Sequence, residues 1–229
     1  MRLTYPCGIA PGFNPSHPAA LGVRQSAVTL TGANFVSLLT GTKGTLSGTV
    51  TPNTHAVIGP NSAFALSAYV TFPNGPTTVD SNFTGAGICY LTTGAATAAL
   101  FCSDNQSTDG CSVSINASNI IGAVYTGVNR ISSATTLSTG VPYFIAASRT
   151  QSTGNFVVVD LRTGLTFSSV TTGGTGTPIA GGGTFQIANA STAQTWIGGI
   201  ACVMYSNQFT PLAVLQQWAA DPWSFWYNV

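Results

Sequence analysis

Five aspartates, at positions 80, 104, 109, 160 and 221, and two histidines, His17 and His55, are the carboxylate and imidazole groups of this 229-residue chain, which has no glutamate. Cleavage of a glycosidic bond ordinarily uses two carboxylates flanking that bond, and no two of these aspartates alternate closely along one strand. Serines are plentiful, but no G-x-S-x-G turn presents one as a nucleophile. His17 lies in NPSHPAA and His55 in PNTHAV, settings that read as turns rather than as sites of a general base. On this count the chain is expected not to be an enzyme.

Metal chemistry is poorly supplied as well. Calcium takes six to eight oxygens, several of them usually from carboxylates. The stretch Asp104 to Gly110 (DNQSTDG) has two acids but not the alternating acidic positions of a helix-loop-helix site, so it reads as a solvated turn with Asp109-Gly110 at its corner. Cys and His residues lack the short spacings of a zinc site. No cofactor and no metal are expected. Cys7, Cys89, Cys102, Cys111 and Cys202 are odd in number and irregularly spaced, which suits buried thiols made in a reducing cytoplasm. Cys102 and Cys111 bracket a short loop and could alternatively close a hairpin disulfide. Four N-x-S/T triplets, at Asn82, Asn105, Asn116 and Asn189, are expected by accident in a chain so rich in Ser and Thr.

Charge is the anomaly of composition. Charged residues make up 5% of the chain and the formal net charge is +1, against about 25% charged residues in ordinary soluble domains. The surface must therefore be Ser, Thr, Asn, Gln and Gly. No basic run offers a footprint for nucleic acid or a membrane surface, no apolar run approaches a spanning length, and the N-terminus lacks the apolar core of a secretory signal. With 44% hydrophobic residues a sizeable core is available.

The elements that must position any site are strands. Residues 63–72 (AFALSAYVTF) alternate as one strand, with Phe64, Leu66, Ala68, Val70 and Phe72 on its buried face. Residues 141–170 read as three strands joined by tight turns. In the middle one Val157, Val159 and Leu161 share a face, and Phe156, Val158, Asp160 and Arg162 share the more solvated one. Further strands are expected near 28–30, 35–39, 45–50, 88–92, 98–102, 113–115, 120–125, 185–188 and 199–206, a spacing typical of a sandwich or jelly roll. Residues 168–183, rich in glycine, read as a surface loop. One helix is expected over 211–220, capped by Thr210, begun by Pro211 and stopped by Asp221-Pro222. Residues 1–20 read as an extended arm, followed by one jelly-roll domain over 21–229.

Read from its ends, the chain resembles phage and prophage proteins with a concanavalin A-like, laminin G-type jelly roll. The likeness rests on GFNPSHPAALGVRQSAV (12–28), GANFVSLLTGTKGTLSGTV (32–50), PYFIAASRTQSTGNFVVVDLRTG (142–164) and the closing TFQIANASTAQTWIGGIACVMYSNQFTPLAVLQQWAADPWSFW (184–226), with its D-P-W-x-x-F ending. Asn14 replaces the usual Asp, and the acids that bind calcium in some laminin G-type domains have no counterpart here. The resemblance implies an all-β, two-sheet antiparallel jelly-roll sandwich in a virus-encoded protein, made in the bacterial host cytoplasm and carried in the virion.

The first expectation is a structural protein that decorates or cements a capsid or forms another particle surface, packing against other virion proteins or copies of itself. The alternative is a lectin-like module that recognises a host surface glycan. Three of four tryptophans lie in the last twelve residues. Trp218 falls on the helix face, and Trp223 and Phe225 close the sandwich. Trp226 and Tyr227, with Tyr5 and Phe13 of the arm, are the candidate inter-subunit contacts.

Overall fold

The computed structural model describes residues 12–29, 34–73, 82–94, 97–103, 110–125, 129–173, 183–189 and 195–226. Among them the chain order is β1 (Val23–Thr29), β2 (Phe35–Ser37), β3 (Thr45–Ser47), β4 (Val50–His55), β5 (Gly59–Phe64), β6 (Tyr69–Phe72), β7 (Phe83–Leu91), β8 (Ala98–Ser103), β9 (Cys111–Ile115), β10 (Ile120–Tyr125), β11 (Asn129–Thr136), β12 (Tyr143–Arg149), β13 (Thr153–Asp160), β14 (Thr166–Thr172), β15 (Phe185–Ile187), β16 (Gly198–Ser206) and the helix α1 (Leu212–Ala220). The strands form two antiparallel sheets. The first runs β14-β13-β12-β7-β16-β1-β2, with β5 on β16 and β4 on β5; the second runs β11-β10-β9-β8-β15-β6-β3. The chain is thus the expected all-β jelly-roll sandwich with one short C-terminal helix. Among the described residues no helix is long and apolar enough to cross a membrane.

Two apolar layers hold it together. The inner faces of the sheets close over Phe35, Phe64, Phe72, Phe83, Phe101, Tyr125, Ile145, Phe156, Phe185, Trp196 and Tyr205. On the outer face of the first sheet, α1 and the aromatic tail cover Ile88, Phe144, Ala146, Val157, Val159, Leu161, Cys202 and Met204. This second layer corrects the reading of β13: both of its faces are buried, Phe156 and Val158 between the sheets and Val157 and Val159 beneath the helix. Alternation cannot distinguish a solvated face from one that a distant helix covers.

The run 63–72 is two strands rather than one. Ser67 adopts φ 62°, a left-handed turn, so the chain leaves β5 in the first sheet and enters β6 in the second. Leu66 consequently points out, 68% exposed, while Phe64, Val70 and Phe72 stay in the core. Strand β11 went unforeseen. The first part of the glycine-rich run is not loop but the end of the edge strand β14, while residues 174–182 lie outside the described ones.

The helix is also entered differently. Thr210 does not cap it; its hydroxyl hydrogen-bonds Thr84 Oγ1 at 2.8 Å and its N–H donates to Ser148 Oγ at 2.7 Å, and Pro211 stands at the N-cap. Between the sheets, Arg149 of β12 is fully buried. Its Nη1 donates to the Ala123 carbonyl at 2.7 Å, and its guanidinium carbon lies 4.0 Å from the centre of the Tyr125 ring. Burial lowers its pKa to about 10, still far above neutrality, so it clamps the two sheets as a cation.

Candidate functional site

Strands β4 and β5 form a hairpin added to β16 beyond the area that the helix and tail cover. Register sets Thr51 opposite Ala63, Asn53 opposite Asn61 and His55 opposite Gly59. Across the next two pairings Ala63 faces Gly199, and Gly199 faces Tyr90. Because side chains alternate along a strand, Val50 and Phe64 enter the inner core. Thr51, Asn53, His55 and Ala63 emerge on the outer face as a shelf, with Asn61 and Tyr90 of the same face buried beneath them.

The shelf is built around Tyr90. A Cβ on Gly199 would collide with the Tyr90 ring and with Asn61 Oδ1, so glycine there lets the ring lie across β16 toward the hairpin. The Trp196 indole N–H donates to the Tyr90 carbonyl at 3.0 Å and pins the strand from within. Asn53 Nδ2 donates to Tyr90 Oη at 2.7 Å and to Asn61 Oδ1 at 3.3 Å, and Asn61 Nδ2 donates to the Gly59 carbonyl at 3.0 Å. The His55 ring packs on Tyr90 with centroids 5.1 Å apart. Its Nδ1 accepts the Val57 N–H at 3.1 Å, which leaves the proton of the neutral imidazole on Nε2. Burial lowers the His55 pKa and raises that of Tyr90, so both groups are neutral at pH 7.

Beside the shelf lies an open cleft of about 200 Å³, with Thr49 and Thr51 on one side, Ala63, Phe64 and Ala65 along its floor, and Thr92 and Gly198 on the other side. The half-buried His55 ring and Asn53 amide next to exposed threonine hydroxyls suit a ligand that has both an apolar face and many hydroxyls.

The residues singled out from sequence lie mostly elsewhere. Trp226 is fully buried in its own sandwich, stacked near Trp218 and Phe225, with its indole N–H directed at the Val203 carbonyl; it offers no side-chain surface to a neighbour. Phe13 is half-buried and meets Phe225 edge-on at 5.4 Å, and Gly12 and Asn14 donate backbone hydrogen bonds to the Trp226 and Phe225 carbonyls. Tyr5 and Tyr227 lie outside the described residues, as do Asp80, Asp104 and Asp109. Asp160 pairs with Arg162 at 3.2 Å on an exposed turn.

Cys102 and Cys111 remain thiols. Cys102 stands opposite Ser112, and Cys111 opposite Ser103, so the two point to opposite faces of the sheet and cannot bridge. Among the described residues no cluster of His, Cys and Asp could hold a metal. The shelf itself was missed in the sequence. Its signal is the pairing of four strands, which no local window contains.

No family defined by sequence matches the chain, and no curated protein matches it by sequence. Solved structures do share its fold. Domain 4 of an extracellular GH43 arabinanase from Geobacillus stearothermophilus, in complex with arabinotriose, superposes at TM-score 0.61 with 10% identity, over 86% of this chain and 98% of that one. Trypanosoma rangeli sialidase in complex with sialic acid gives 0.53 at 10% identity, covering 86% of this chain and 32% of its own, so the chain spans about a third of that enzyme. The enzymatically active domain of tailspike protein 2 of bacteriophage CBA120 gives 0.55 at 16%, covering 81% and 31%.

These likenesses establish a β-sandwich whose neighbours are carbohydrate-active. They overturn the expectation that the chain is not an enzyme, because its architecture recurs as a part of glycosidase chains. The physical reason is that a shortage of carboxylates is a poor criterion: sialidases use a tyrosine nucleophile.

Proposed function

We propose that this chain is a glycan-recognising β-sandwich domain that works in the host-recognition apparatus of a bacteriophage particle, such as a tail fibre or tailspike. The observation that carries the reading is the shelf of half-buried His55 and Asn53 packed on the buried Tyr90, with its fringe of exposed threonine hydroxyls, beside the apolar layer that the helix and tail cover. The arabinotriose-bound domain of the same fold and the phage tailspike support it. So does the resemblance of both chain ends to phage proteins of concanavalin A-like type. The expected role in capsid decoration has no comparable support and gives way to this one.

The test is a glycan array probed with the purified full chain, followed by calorimetric titration of the best ligands. Binding in the micromolar to millimolar range is expected, as for shallow sites that immobilise a flexible ligand. Absence of binding to every glycan at millimolar concentration overturns the proposal. Reducing ends released in the same incubations report whether the bound glycan is also cleaved.

A further inference from the structure

The residues of the shelf and its cleft include no Asp, Glu, Lys or Arg, and His55 there is neutral. The surrounding sequence is equally free of them: residues 44–79, 81–103 and 163–220 contain no Asp, Glu, Lys or Arg, and these segments supply β4, β5, β7 and β16. From this, and resting on the glycan-binding reading above, we infer that the shelf selects uncharged sugar chains and discriminates against sialic acids, uronic acids and sulfated sugars.

A carboxylate or sulfate brought onto a half-buried surface loses hydration and must recover it from a cation or from charge-assisted hydrogen bonds. The shelf offers no cation, and its free donors are confined to the His55 Nε2–H and hydroxyls. Two of the donors an anion would need are committed inside the protein: Asn53 Nδ2 to Tyr90 and Asn61, and Asn61 Nδ2 to Gly59. His55 holds its Nδ1 on the Val57 N–H, in the neutral form. A neutral sugar meets no such cost. Its C–H face can lie against the His55 ring, and its hydroxyls can give protons to Asn53 Oδ1 and exchange hydrogen bonds with Thr51 and Thr92. The row from Thr51 to His55 along β4 is about 13 Å long at strand rise, which accommodates more than one ring and so favours oligosaccharides over monosaccharides.

The test titrates the full chain with neutral oligosaccharides (arabino-, gluco-, manno- and galacto-series) and with sialylated, uronate and sulfated ones, each at low and high salt. Neutral oligosaccharides are expected to bind, with affinity changing less than about twofold between the two salts, since no charge pair is there to be screened. Asn53→Ala should weaken that binding about tenfold by removing one acceptor and the support of Tyr90. Thr51→Lys, at an exposed position that leaves folding intact, should block the cleft. An unchanged melting temperature in Thr51→Lys makes its loss local, whereas Asn53→Ala also lowers stability through the buried partners it abandons.

Three results would overturn the inference while leaving the glycan-binding reading in place. These are binding confined to anionic glycans, binding that falls steeply with salt, or neutral-glycan binding that both variants leave untouched. Binding of no glycan at all would instead remove the proposed function.

Discussion

His17 reads in sequence as a turn residue between two prolines, and it is one. Its Nδ1 accepts the Ala19 N–H at 3.1 Å, and its ring packs against Trp218 at 4.9 Å and Phe225 at 5.4 Å. Burial among these rings lowers its pKa from 6.5 to about 4. The folded chain therefore takes up this proton less readily than the unfolded chain, and stability depends on pH with a definite sign. The contribution is fully present above about pH 6.5 and is lost as pH falls toward about 4, at a total cost on the order of 2 kcal/mol. Urea titrations across that window should show it, and His17→Asn, which keeps a short acceptor at the turn, should flatten the slope. Equal slopes in the two chains would refute the assignment. The shelf residues are the opposite case at this scale. Asn53, His55 and Asn61 look in sequence like the polar filling of a turn, and their partnership with Tyr90 needs the distant pairings of Ala63 with Gly199 and of Gly199 with Tyr90, about which composition is silent.

Among the elements, the helix and aromatic tail act as a lid on the outer face of the first sheet. Trp218 touches Phe144, Phe225, Trp226 and His17, and its indole N–H donates to the Pro222 carbonyl at 3.2 Å. Trp218→Ala should cost about 3–5 kcal/mol in denaturant unfolding, as large-to-small changes in a packed layer do. It should also increase binding of a hydrophobic dye, because Val157, Val159 and Phe144 lose their cover. A loss below about 1 kcal/mol would mean that the lid is not part of the cooperative unit. Elements held by local turns were legible: the three strands expected over 141–170 are β12, β13 and β14, which follow one another through short connections between Tyr143 and Thr172. The run 63–72 was misread for a physical reason. Apolar alternation continues unbroken through Ser67, and only the left-handed backbone there, which no side-chain pattern reports, sends β5 and β6 into different sheets.

For the molecule as a whole, scarcity of charge has a cost that sequence alone exposes but only the fold locates. With a formal net charge of +1, copies repel one another weakly. Strand β14 is an edge of the first sheet. It carries no charge, and with the preceding turn it leaves Leu165, Phe167 and Val170 well exposed, Val170 at 55%. Long uncharged edges with unpaired backbone groups invite pairing with another chain, and natural sheets commonly blunt them with lysine or proline. The purified protein should therefore self-associate with rising concentration near neutral pH, as read by sedimentation or light scattering. Val170→Lys should suppress that association severalfold while shifting the melting temperature by no more than about 2 °C, because the side chain already faces water. The shelf lies on β4, β5, β16 and β7, with β12 and β13 standing between it and this edge, so the same variant should bind glycans as the unmodified chain does. Self-association that persists unchanged in Val170→Lys would exclude β14 as its route and direct attention to other exposed apolar positions, Leu21 and Leu66 foremost.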